Sequence, residues 1–71
     1  MKFGVVVEKD EDGYYVASVP ELPGCHTQAK TLDLVMKRIK EAILACLEAE
    51  GVKDQRHTEL VGVQFIEVQA E

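Results

Sequence analysis

The sequence predicts an α+β domain in which one helix lies on one face of a four-stranded mixed sheet. Three observations carry that expectation. Four segments have strand character: Lys2–Lys9, Tyr14–Val19, Cys25–Ala29 and Leu60–Val68, all rich in valine or alternating in polarity. One segment, Leu32–Leu47, repeats its apolar residues at helical spacing. Glycine, proline and aspartate signals separate these segments, giving the order β-β-β-α-β.

The first strand holds Val5, Val6 and Val7 in succession, so both of its faces are apolar, as in a central strand. Asp10-Glu11-Asp12-Gly13 then predicts a hairpin with Gly13 at positive φ. The second strand runs into Ser18-Val19-Pro20-Glu21-Leu22-Pro23-Gly24-Cys25. Pro20 has no N–H to donate, so pairing should stop there. Pro23-Gly24 supplies the two central conformations of a type II turn. A short third strand follows this rigid corner.

Thr31 is the expected N-cap of the helix, with Asp33 at the positive end of its dipole. Leu32, Val35, Met36, Ile39, Ala42, Ile43, Cys46 and Leu47 form the predicted buried stripe, and Gly51 the stop. A polar connection, Val52–Glu59, leads to the fourth strand. If the first three strands form a meander, a right-handed crossover returns the fourth parallel to the first. The sheet order expected is therefore 3-2-1-4.

With 71 residues the chain is expected to be one domain or a fragment of one, and a domain of this size buries only about 60% of its unfolded surface. A net charge of −5 argues against direct binding to nucleic acid, which needs a basic face, and suits a basic protein partner. Its N-terminal segment reads as a charged strand and not a signal peptide, and no apolar run reaches membrane-spanning length. The expected location is the cytoplasm, with Cys25 and Cys46 as reduced thiols.

Candidate chemistry is sparse. Cys25-His26 invites a nucleophile–base reading, but neighbours on a strand point to opposite faces. Cys25, His26, Cys46 and His57 lack the paired spacings of structural zinc. Pro20-Glu21-Leu22-Pro23 fits a P-x-x-P template, yet the corner already accounts for it. Glu8, Glu41 and Glu67 are the carboxylates that a minimal two-metal nuclease site would have to gather, although Glu41 falls off the apolar stripe. Solvated strand ends are the better reading, and no catalytic residue, metal or cofactor is expected.

Two runs, Glu8–Ala17 and Val19–Cys25, carry a more specific signal together with Thr27-Gln28, Thr31-Leu32 and Ile39-Lys40-Glu41-Ala42-Ile43. In this order they resemble the N-terminal domain of HicB-type antitoxins over Met1 to about Glu48. That resemblance implies a partial RNase H-like fold without the nuclease's metal-binding carboxylates. It also implies a non-enzymatic module that binds and neutralises a small basic HicA-type toxin, an mRNA-cleaving ribonuclease. Such antitoxins usually continue into a DNA-binding domain, whereas the expectation here is one HicB-like domain over residues 1–71, with no direct nucleic-acid binding. The alternatives are an RNase H-like nuclease with a minimal metal site and an orphan self-associating domain.

Two surfaces are expected to matter. The corner residues Pro20, Glu21, Leu22, Pro23, Gly24, Cys25 and His26 are the candidate partner-binding site. Val61, Val63, Gln64, Phe65 and Ile66, on a long apolar edge with Glu67 as its one charge, are the candidate interface of a homo-oligomer, most simply a dimer.

Overall fold

Three short strands and one long helix form the body of the molecule: β1 (Val6–Lys9), β2 (Tyr15–Ser18), β3 (His26–Ala29) and α1 (Leu32–Glu50). The computed structural model describes residues 2–50 and 59–69. The sheet is an antiparallel meander in the order β1-β2-β3. Val6 stands opposite Ser18 in the first ladder and Ser18 opposite His26 in the second.

The hairpin between β1 and β2 closes as the sequence predicts. Gly13 adopts φ +87°, and its N–H donates to the Asp10 carbonyl at 3.1 Å. The Asp10 carboxylate accepts from the N–H groups of Asp12 at 3.0 Å and Tyr14 at 2.8 Å. A type I turn followed by a left-handed glycine is the usual three-residue hairpin, and aspartate at its first position satisfies the donors the turn leaves open.

Two hydrogen bonds fix which main-chain groups point where. Asp10 N–H donates to the Tyr14 carbonyl and Val19 N–H to the Cys25 carbonyl. Because direction alternates along a strand, Val6 and Glu8 aim their main-chain groups at β2, and Val5, Val7 and Lys9 aim theirs away from the sheet. On β3, His26 and Gln28 aim outward. The Arg38 guanidinium covers that edge in part by donating to the Gln28 carbonyl at 2.9 Å.

Side chains follow the same alternation. Ala17, Val19, Cys25 and Ala29 are buried beneath Val35 and Ile39 of the helix, with Phe3, Val5, Tyr15, Leu22, Ala42, Ile43 and Cys46 packed around them. The opposite face carries Val6, Glu8, Val16, Ser18, His26 and Gln28. Small residues at positions 17, 25 and 29 let the helix approach closely, so Val35 and Ile39 fill the space between the layers. Thr31 caps the helix, its Oγ1 accepting from Leu34 N–H at 3.1 Å and its carbonyl from Val35 N–H at 3.0 Å.

Three expectations need correction or narrowing. First, α1 packs on β3 and β2 and makes no contact with β1 among the described residues, so Leu32 and Met36, expected on the buried stripe, are exposed. The sheet is too narrow to cover a full apolar flank of a helix seated over β2 and β3. Second, residues 59–69 form no strand within the single chain. The described sheet therefore matches the 3-2-1 part of the expected order, with no fourth strand beside β1. Third, the valine-rich first strand is consequently an edge and not a central strand. The expected helix stop at Gly51, most of the Val52–Glu59 connection and His57 lie outside the described residues.

Candidate partner-binding corner

The corner is two consecutive turns closed by three main-chain hydrogen bonds. Leu22 N–H donates to the Val19 carbonyl at 3.0 Å, turning the chain at Pro20-Glu21. Cys25 N–H donates to the Leu22 carbonyl at 2.9 Å, turning it again at Pro23-Gly24. Gly24 has φ +85°, the conformation that position three of a type II turn requires. The Val19 N–H bond to the Cys25 carbonyl, at 3.0 Å, then rejoins the two strands.

Side chains tie this loop to the core from both ends. Val19 and Cys25 are buried, and Leu22 packs against the same cluster. Pro20 falls opposite Gly4 when the β1–β2 register is extended. A proline there offers no N–H to the ladder; beside it, the Gly4 N–H donates to the Glu21 carboxylate at 2.7 Å. That charge-assisted bond holds the corner against the start of the chain. Glu21 was legible as a corner residue, but nothing local in the sequence announces its partner seventeen positions away.

Of the seven corner residues, Pro20, Pro23, Gly24 and His26 are exposed. Glu21 and Leu22 are half-buried and Cys25 lies in the core. Cys25 and His26 point to opposite sides of the sheet, as strand alternation requires, so they do not form a nucleophile–base pair. Neither Cys25 nor Cys46 is in a disulfide.

The acidic residues are solvated and dispersed. Glu8 projects from the sheet face away from the helix, Glu41 from the outer side of the helix, and Glu67 from the segment 59–69; all three are exposed. Among the described residues no three His, Cys, Asp or Glu side chains converge in a way that could hold a metal ion. Also among them, no helix is long and apolar enough to cross a membrane.

A family model described as the HicB-like antitoxin of bacterial toxin–antitoxin systems matches residues 3–69. The chain belongs to that family. It is 60% identical over 68 residues to a UPF0150 protein of Archaeoglobus fulgidus, covering 96% of each chain. A UPF0150 protein of Synechocystis is 39% identical, with 94% of each chain covered. Among solved structures, the crystal structure of the N-terminal domain of the Burkholderia pseudomallei antitoxin HicB superposes with a TM-score of 0.69. That match is 33% identical and covers 86% of this chain and 74% of the other. The expected kinship with HicB-type antitoxins thus holds, and the matched range extends beyond Glu48 through the segment 59–69.

The same geometry displays features that the sequence reading passed over. Phe3, Lys40, Ile43, Leu44 and Leu47 line a cleft of about 400 Å³ on the flank of the helix that faces β1. Leu44 lies off the expected buried stripe, and its spacing from Met36 and Lys40 is the signal that places it on this second flank. Leu60 occupies the space that a side chain at Gly4 would enter, with its Cβ 2.8 Å from that position.

Proposed function

We propose that this HicB-like domain binds and neutralises a small basic ribonuclease toxin of the HicA type, as a cytoplasmic and non-enzymatic antitoxin. The observation that carries the reading is the family match over residues 3–69, seconded by the likeness to the HicB N-terminal domain. The corner is the recognition element. Its two turns hold Pro20, Pro23, Gly24 and His26 outward on a frame anchored to the core by Val19, Leu22 and Cys25. Little conformational entropy is lost on binding when a loop is already fixed in this way.

Charge supports the same partner class. Glu8, Asp10, Glu11 and Asp12 are exposed along one end of the β1–β2 hairpin, and the whole chain carries a net charge of −5. A basic toxin would be steered toward such a surface, with an association rate that falls as salt rises. The fold reading that accompanies this function is a partial RNase H-like scaffold that uses the β1-β2-β3 sheet and its helix as a binding frame.

Titration calorimetry against a small basic HicA-type toxin tests the proposal, paired with an RNA-cleavage assay. Binding heat and protection of the RNA are expected; no heat and no protection would reject it. The non-enzymatic reading has its own check. Incubation with RNA or an RNA–DNA hybrid in magnesium or manganese is expected to leave both intact. Cleavage that disappears in Glu8→Ala or Glu67→Ala would overturn it.

A further inference from the structure

On the reading that the corner is the toxin site, we infer that Leu60, which lies outside the corner, is a positioning residue for toxin recognition, acting through Gly4 and the Glu21 carboxylate. Two contacts meet on one glycine. The Gly4 N–H donates to Glu21 Oε1 at 2.7 Å. Leu60 packs on the same residue, its Cβ 2.8 Å from where a side chain at Gly4 would begin. Glu21 and Leu60 are thirty-nine positions apart in sequence, and Gly4 is the partner they share.

Gly4 is held from both faces of the sheet. Phe3 and Val5, on either side of it, pack against the core beneath the helix, so by strand alternation the open side of Gly4 is the opposite face. Leu60 fills that side. Within residues 59–69 it alone is not exposed, so this segment meets the body of the domain at Gly4. Only a residue without a Cβ lets a leucine approach the main chain so closely. With Leu60 seated, the Gly4 N–H is fixed in one direction and the Glu21 carboxylate is met there. With Leu60 withdrawn, glycine has the freest main chain of any residue, and the bond to Glu21 competes with water.

The corner depends on that bond. Val19, Leu22 and Cys25 anchor it to the core beneath the helix, and Glu21 ties it to the start of the chain. The tie is half-buried and charge-assisted, and so stronger than a neutral hydrogen bond of the same length. Pro23, Gly24 and His26, the exposed residues that follow Glu21, keep their aim only while it holds. A toxin that prefers the held corner therefore also strengthens the seating of Leu60, because coupling between two sites is reciprocal. The route is a contiguous chain of contacts, Leu60 to Gly4 to Glu21, and needs no rearrangement of the sheet.

Surface plasmon resonance of the full chain against a small basic HicA-type toxin, with the Gly4 amide proton followed by nuclear magnetic resonance, provides the test. Leu60→Ala is expected to weaken toxin binding about fivefold, mostly through faster dissociation. It should also move the Gly4 amide proton upfield as its hydrogen bond weakens, with the helical circular dichroism unchanged. Leu60→Met, which conserves volume, is expected to stay within about twofold of the parent chain. In a Glu21→Gln background, where the charge-assisted bond is already weakened, Leu60→Ala should cost less than about twofold more, because residues sharing one partner do not act additively. In the parent chain, added toxin is expected to move the Gly4 amide proton downfield. Fully additive losses would put Leu60 in direct contact with the toxin and overturn the inference. So would parent affinity in Leu60→Ala, or a Gly4 amide indifferent both to residue 60 and to toxin. In each of those results the parent chain still binds toxin, so the antitoxin reading stands. A parent chain that binds no toxin overturns that reading and the role of Leu60 with it, whatever the Gly4 amide does.

Discussion

Replacing Ile39 with alanine is expected to cost about 2–4 kcal/mol of folding stability, the largest loss from any single truncation in this domain. Ile39 is 2% exposed and, with Val35, is the largest fully buried side chain among the described residues. It sits over Ala17, Cys25 and Ala29, positions with too little side chain to collapse into the space that it vacates. Truncation of a buried isoleucine loses both the transfer of its methyl groups and the packing around the cavity left behind. At about 0.05–0.15 kcal/mol per residue, a chain of this length has only about 4–10 kcal/mol in total. The melting temperature should therefore fall by roughly 10–25 °C. Leu44→Ala, at an exposed position on the same helix, is expected to change stability by no more than about 0.5 kcal/mol. Urea melts of both variants at one fixed protein concentration make the comparison. An Ile39→Ala loss no larger than that of Leu44→Ala would show that the helix does not pack on the sheet as described.

The contrast between these two leucine-like positions shows where the sequence was legible. Helical periodicity identifies a helix and its apolar side, but not how wide a sheet will lie beneath it. Val35, Ile39, Ala42, Ile43 and Cys46 were read correctly as the buried ridge because any sheet would cover them. Leu32 and Met36 lie toward the β1 flank, and the helix sits over β2 and β3, so their exposure depends on tertiary placement alone. The turns were more readable still. Asp10, Gly13, Pro23 and Gly24 act through local backbone chemistry, and each does in the structure what its residue type demands.

Non-local features were the ones that escaped. The hold of Glu21 on Gly4 and of Arg38 on Gln28 joins residues seventeen and ten positions apart, and no pattern within a strand or turn encodes them. The segment Leu60–Val68 has every local mark of a strand, yet a strand exists only where an edge receives it. Sequence pattern could supply the segment and not the identity of the edge. For the candidate site the division is the same. The shape of the corner was readable from Pro20, Pro23 and Gly24, whereas which of its side chains would face solvent was settled by the packing of Val19, Leu22 and Cys25.

Gly24→Ala and Gly13→Ala are expected to destabilise the fold equally and to affect toxin binding unequally. Both glycines have φ near +85°, at +85° and +87°, and a side chain at either position would meet nothing within 4 Å. The cost is therefore purely that of the backbone, about 1–2 kcal/mol for an ordinary L-residue in the left-handed region. Asparagine tolerates that region better and should cost less at both sites. The consequences for binding differ because of what each turn holds. Relaxation at Gly24 would break the Cys25 N–H bond to the Leu22 carbonyl and re-aim Pro23 and His26, the exposed part of the corner. Relaxation at Gly13 would loosen only the tip of the hairpin, leaving its charges in place. If the corner recognises the basic toxin, Gly24→Ala should weaken binding tenfold or more, mostly through faster dissociation, since misplaced contacts raise the off-rate. Gly13→Ala should stay within about twofold, and Gly24→Asn should recover much of the loss. Surface plasmon resonance on the three variants, with urea melts to confirm matched stability, separates recognition from folding. Equal binding by Gly24→Ala and Gly13→Ala would move the toxin site away from the corner.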